Sequence, residues 1–178
     1  MEKVIFISKE LPASLEGILS KYAEVRCLPS HVALPEPISS HADILSFYDE
    51  ASGELWLTRE YYNNNKELFS DVKVRTVNEE LGKSYPKDVL LDAISLGEAL
   101  ICKESATAEM IKQGKRVINV KQGYAKCSAC VLKKALAITA DEGIRDALES
   151  LGVKVLFILP GNIRLEGYSY GFIGGACL

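Results

Sequence analysis

The residues with the widest chemical range in this chain are five cysteines, two histidines and a scatter of aspartates. Cys127 and Cys130 stand as Cys-Ser-Ala-Cys, a spacing that suits a redox dithiol or half of a zinc site. A redox dithiol wants a helix N-terminus, where the peptide dipole lowers a thiol pKa; here an apolar strand pattern follows. Zinc wants a second pair, and Cys27, Cys102 and Cys177 lack the spacing. That leaves packed structural thiols, a binding role or an incomplete metal site, and no metal or cofactor is expected. His41-Ala42-Asp43 puts an imidazole two residues before a carboxylate; it serves either chemistry or the bracing of the loop that Ser39 and Ser40 begin. Asp88 and Asp92 read as a turn residue and an exposed strand residue. His31, in a proline-rich linker, is expected to be solvated. Gly171, Gly174 and Gly175 are not followed by a helix pattern, so they suit close backbone packing better than a phosphate loop.

Composition narrows the classes. A chain of 178 residues, 48% hydrophobic and 25% charged, is long enough to bury a core. Its net charge of -3 and scattered lysines offer no basic face, so nucleic acid is not an expected partner. No apolar run approaches the roughly 20 residues that span a bilayer. The apolar core of the N-terminus is too short for a secretory leader. An odd cysteine count then reads as reduced thiols in a cytoplasmic protein.

The elements that must position these residues recur. Cys130 to Gly161 reads as strand, strand, helix, strand: a hairpin turning at Lys133-Lys134, a helix capped by Thr139 with Glu142 reaching back and Ile144, Leu148 and Leu151 on one face, then the strand Val153 to Leu159. The same order is expected over 43–77 and 88–120, with helices over Arg59 to Phe69 and Ser105 to Gln113, and in part over 3–28. The linker Pro29 to Ser40 excludes helix and central strand. Four strand ends overlay, at Ser8-Lys9-Glu10, Thr58-Arg59-Glu60, Cys102-Lys103-Glu104 and Thr139-Ala140-Asp141. Each suits a helix N-terminus, and their spacing of roughly 40 to 50 residues marks internal repetition. Tyr170 to Leu178 reads as the first strand of an incomplete fifth unit.

Units of this size must pack side by side to bury their apolar faces. The arrangement resembles the pentein class of α/β propellers, in which such modules surround a pseudo-symmetry axis. That class holds arginine and agmatine deiminases, dimethylarginine dimethylaminohydrolase, amidinotransferases and a non-enzymatic ribosome anti-association factor. Pro37 to Asp43, Gln122 to Cys127, Cys130, Pro160-Gly161 and Gly167 to Gly175 are similar to a group of uncharacterised bacterial proteins of that fold. The resemblance implies a single domain over 1–178, with modules at about 3–28, 43–77, 88–120 and 129–160 and a partial one at 170–178.

It also implies that residues at the module starts converge on the axis. Cys177, in the glycine-rich Gly174-Gly175-Ala176-Cys177, looks like the late nucleophile of the guanidine-modifying enzymes. His41 resembles their acid/base, although they draw it from the middle module, and Asp43 would orient it. Ser40, Asp88, Asp92, Cys127, Cys130, Gly174 and Gly175 would line the substrate pocket. In such an enzyme a thiolate attacks the guanidinium carbon and a histidine protonates the leaving amine. Two expectations follow: a module that binds a small molecule or a protein without catalysis, or a cysteine-dependent amidinohydrolase or amidinotransferase acting on a guanidine-containing small molecule. The partners either allows are a small molecule in the axial pocket and a further copy of the chain.

Overall fold

The computed structural model describes residues 3–133 and 135–177, a mixed α/β chain. The first module is β1 (Val4–Ser8), α1 (Ala13–Leu19) and β2 (Glu24–Leu28), with β1 and β2 parallel. The second holds α2 (Ala42–Leu45), β3 (Ser46–Asp49), β4 (Glu54–Thr58), α3 (Arg59–Asn64) and β5 (Val74–Val77). The third holds β6 (Ile94–Leu96), β7 (Ala99–Cys102), α4 (Glu109–Lys112) and β8 (Arg116–Asn119). The fourth holds β9 (Ala129–Lys133), β10 (Leu136–Thr139), α5 (Glu142–Ser150) and β11 (Lys154–Phe157). Each of the last three forms its own three-stranded sheet, in which the middle strand pairs antiparallel with the strand before it and parallel with the strand after the helix. The strand-strand-helix-strand order read from the sequence is therefore present three times.

The middle strands explain why the repeat was legible. Leu55-Trp-Leu-Thr58 and Ala99-Leu-Ile-Cys102 are buried along their length, as β-branched and apolar runs flanked by packed elements should be. In α5, Ile144, Ala147 and Leu148 are buried, the one-sided spacing of an amphipathic helix. Neighbouring modules are fastened in sequence order. Arg26 of β2 grips Asp71 and the Leu68 carbonyl. Asp49, at the end of β3, takes the Lys115 ammonium at 2.6 Å. Ile94, Ile101 and Val120 share one apolar cluster with Ile144 and Leu148.

Several expected elements are shorter or different, each for a local reason. The long helix expected over Arg59 to Phe69 ends at Asn64 and resumes as a 3-10 turn over Lys66–Phe69. Asn63, Asn64 and Asn65 are poor helix formers, and Asn65 donates its amide to the Tyr61 carbonyl, competing with the backbone ladder. The helix over Ser105 to Gln113 shrinks to α4, because Thr107 bonds back to the Lys103 carbonyl in a preceding turn. Val89 to Ser95 is not one strand: a 3-10 turn over Lys87–Val89 leads through a bend to β6. An apolar run this short does not distinguish the two. The cap of α5 is Asp141, whose Oδ1 accepts from the Ile144 amide at 2.9 Å, while Thr139 donates to the Ser128 carbonyl; the Thr139–Glu142 capping box is not formed.

Two consecutive glutamates do capping work that the sequence did not advertise. Glu79 accepts from the Glu109 amide at the start of α4, and Glu80 from the Glu60 amide at the start of α3. Each supplies a carboxylate to a helix N-terminus, where exposed N–H groups want an acceptor. The fifth-module strand over Tyr170 to Leu178 is not formed within the described residues. Gly171 makes one bridge to Ile163, and Gly174–Ala176 is a 3-10 turn.

Candidate functional site

Asp92 is the centre of the site. The bend after the Lys87–Val89 turn points its carboxylate at the loop before β9. There Oδ1 accepts from the amides of Lys126 and Cys127, and Oδ2 accepts from the Cys127 thiol at 2.8 Å. Asp92 is wholly buried; burial first, and the nearby charge of Asp43 second, push its carboxyl up to about 8. Burial and the same two carboxylates hold the Cys127 thiol well above its ordinary range, so it stays a donor. Asp92, expected at an exposed strand position, is thus inside, because the turn before β6 folds back on the core, and Asp88, in a turn as expected, is buried with it.

Asp43 lies in the first turn of α2, following His41, whose backbone caps that helix. Its Oδ2 is buried without a hydrogen-bond partner, and its Oδ1 lies 4.0 Å from His41 Nδ1. A side chain on Gly175 would begin 3.4 Å from Asp43 Oδ2, so the backbone of the C-terminal segment passes close beside that carboxylate. Gly174 is tighter still. Its amide donates to the Cys127 carbonyl at 2.7 Å, and an added Cβ would collide with the Lys126, Cys127 and Ala129 carbonyls. The expected close packing of backbone is met there, and it brings the C-terminal segment against the Asp43–Asp92–Cys127 cluster.

The remaining candidates fall around this centre. Cys130 is buried and Cys177 partly so; burial first, then contact with Cys130, pushes the Cys177 thiol up to about 11, the direction opposite to an activated nucleophile. Asp88 is buried, its Oδ2 taking the Tyr124 hydroxyl at 2.6 Å and its Oδ1 left without a partner. Ser40 is buried and bonded to Ser8 Oγ at 2.7 Å, which ties the linker to the end of β1. Lys126 and Tyr124, not singled out by residue type, sit inside the Gln122 to Cys127 motif.

His31 is buried, not solvated. It stacks on Tyr61, and its Nδ1 accepts from the Ala33 amide. Its ring lies with carboxylate oxygens of Glu60 and Glu80 within ligand range of one another. Nδ1 is already engaged by the Ala33 amide, and both glutamates are exposed, as acidic surface groups commonly are.

Among the described residues no helix is long and apolar enough to cross a membrane. No curated protein matches the chain. Residues 6–178 match the model of DUF6873, a family of unknown function, and the chain belongs to that family.

Proposed function

We propose that the chain is a pentein-type propeller of repeated modules acting as a binding module, whose axial pocket takes the cationic group of a small molecule between Asp43 and Asp92. The observation that carries this reading is the buried, unpartnered Oδ2 of Asp43 beside a second carboxyl forced toward its neutral form by burial. A buried carboxylate oxygen without a donor is destabilising, and a bound ammonium or guanidinium would supply both charge and hydrogen bonds. Titrating the protein calorimetrically with small guanidines and amines tests it. Binding without turnover, weakened at least tenfold in Asp43→Asn, is expected. Unchanged binding in that variant would remove the reading.

The second reading is a cysteine-dependent amidinohydrolase or amidinotransferase. It draws on the placement of Gly175 against Asp43, which brings the segment bearing Cys177 to the His41–Asp43 corner. In that reaction the Cys177 thiolate adds to the guanidinium carbon, an amine leaves with a proton from His41, and water or an acceptor amine releases the carbon from sulfur. The raised Cys177 pKa favours the first reading. Amine release from a guanidine, abolished by Cys177→Ala, would reverse that preference.

A further inference from the structure

Away from the carboxylates, the end of the fourth module and the segment 170–173 enclose a cleft of about 120 Å³. That is close to the roughly 150 Å³ cavity that accommodates a benzene ring. Phe172 and Tyr170, packed edge to face at 6.0 Å, form an apolar wall, and the Gly171 amide closes one side by donating to Ile163 O at 2.7 Å.

The polar groups on the lining are unevenly committed. Ser128 is buried, its amide and carbonyl are bonded to Tyr124 O and Thr139 Oγ1, yet its hydroxyl has no partner. The side-chain oxygen of Gln122 accepts from the Tyr124 amide, which leaves its NH2 as the group free to donate. Asp141 uses Oδ1 to cap α5, and Asn162 donates Nδ2 to Leu159 O. The cleft therefore offers donors from Ser128 and Gln122, and acceptors from Asp141 and Asn162. The Asp141 carboxylate makes it unfavourable for an anion.

We propose that this cleft binds an uncharged primary carboxamide carried on a ring-sized apolar body. The carboxamide oxygen accepts from Ser128 and Gln122, and its NH2 donates to Asp141 and Asn162, so one planar group answers both sets. Benzamide tests this in ligand-observed saturation-transfer NMR on the full chain. Binding at about millimolar Kd is expected for a ligand of this size. Ser128→Ala should weaken it about fivefold or more, while the unliganded variant melts no lower than the parent, because a buried unpaired hydroxyl has been removed. Asn162→Ala, at an exposed turn position, should weaken binding with Ser128 in place. Toluene or benzoate binding as tightly as benzamide, unchanged binding in Ser128→Ala, or no transfer at about 10 mM benzamide would each overturn the assignment.

Discussion

The Cys127 thiol donates to Asp92 Oδ2 at 2.8 Å, joining the loop before β9 to the bend before β6, and Asp92 does not reach solvent. Burial of that carboxyl, with the nearby charge of Asp43 second, makes stability depend on pH in a definite direction. Asp92 titrates near 3.9 when unfolded and at about 8 when folded. Between those values the folded chain holds a proton that the unfolded chain has released, so the contribution is whole below about pH 4 and is lost as pH rises to about 8. Asp92→Asn keeps an oxygen for the two amides and removes the titration. Thermal melts from about pH 5 to about pH 9 should fall with pH for the parent and lie flat for the variant; parallel curves would contradict the assignment.

Gly174 is where the C-terminal segment is held. A methyl group there meets the Lys126, Cys127 and Ala129 carbonyls, all backbone, so neither side yields easily. Gly174→Ala should cost about 1–3 kcal/mol and lower the melting temperature by a few degrees, roughly 2–4 °C per kcal/mol at this length. Cys177 should also alkylate faster in the variant, since the segment carrying it is levered off the loop. A variant with parental stability and reactivity would show that the segment is not held by this contact.

The repeat was legible because each middle strand carries an unbroken apolar run and α5 a one-sided face, both local signals. The site was legible only in its residue types. Asp92 follows Val89-Leu90-Leu91, which reads as strand, yet the chain bends there and buries the carboxylate against amides 34 and 35 positions away. His31 looked solvated because the ring that covers it, Tyr61, lies 30 residues on in another module. Tyr170 to Leu178 reads as a strand, but the Gly174 contact with three carbonyls is fixed by the distant loop at 126–129. Long-range partners decide these cases, and local pattern does not encode them.

Thiol reactivity separates the two functional readings. Cys27 is exposed, whereas Cys102, Cys127 and Cys130 are buried. Cys177 is partly open but raised from 9.0 to about 11, which leaves about a hundredfold less thiolate than an ordinary cysteine. Iodoacetamide at neutral pH, mapped by mass spectrometry, should label Cys27 first, Cys177 far more slowly, and the others only on unfolding. Preferential labelling of Cys177 by a haloacetamidine, lost in His41→Ala, is the outcome that would support the enzyme instead.

Asp49 and Lys115 give the clearest link between the second and third modules. Their side chains are 9% and 10% exposed and 2.6 Å apart. Burial pushes the Asp49 carboxyl up, but bonds from Lys115, Ser52 and the Ala51 amide outweigh it and hold it below the usual range. Its contribution is therefore present above about pH 4 and lost as pH falls through the folded value. Lys115→Met leaves the carboxylate with only Ser52, Ser95 and the Ala51 amide, and should cost about 2–3 kcal/mol. Asp49→Asn strands the ammonium at a similar cost. The double variant removes both charges, so it should be less destabilised than the sum by about 1–3 kcal/mol, measured by urea unfolding at neutral pH. Simple additivity would mean that the Asp49–Lys115 pair does not couple the two modules, leaving the link to the Ser95 hydrogen bonds and to packing.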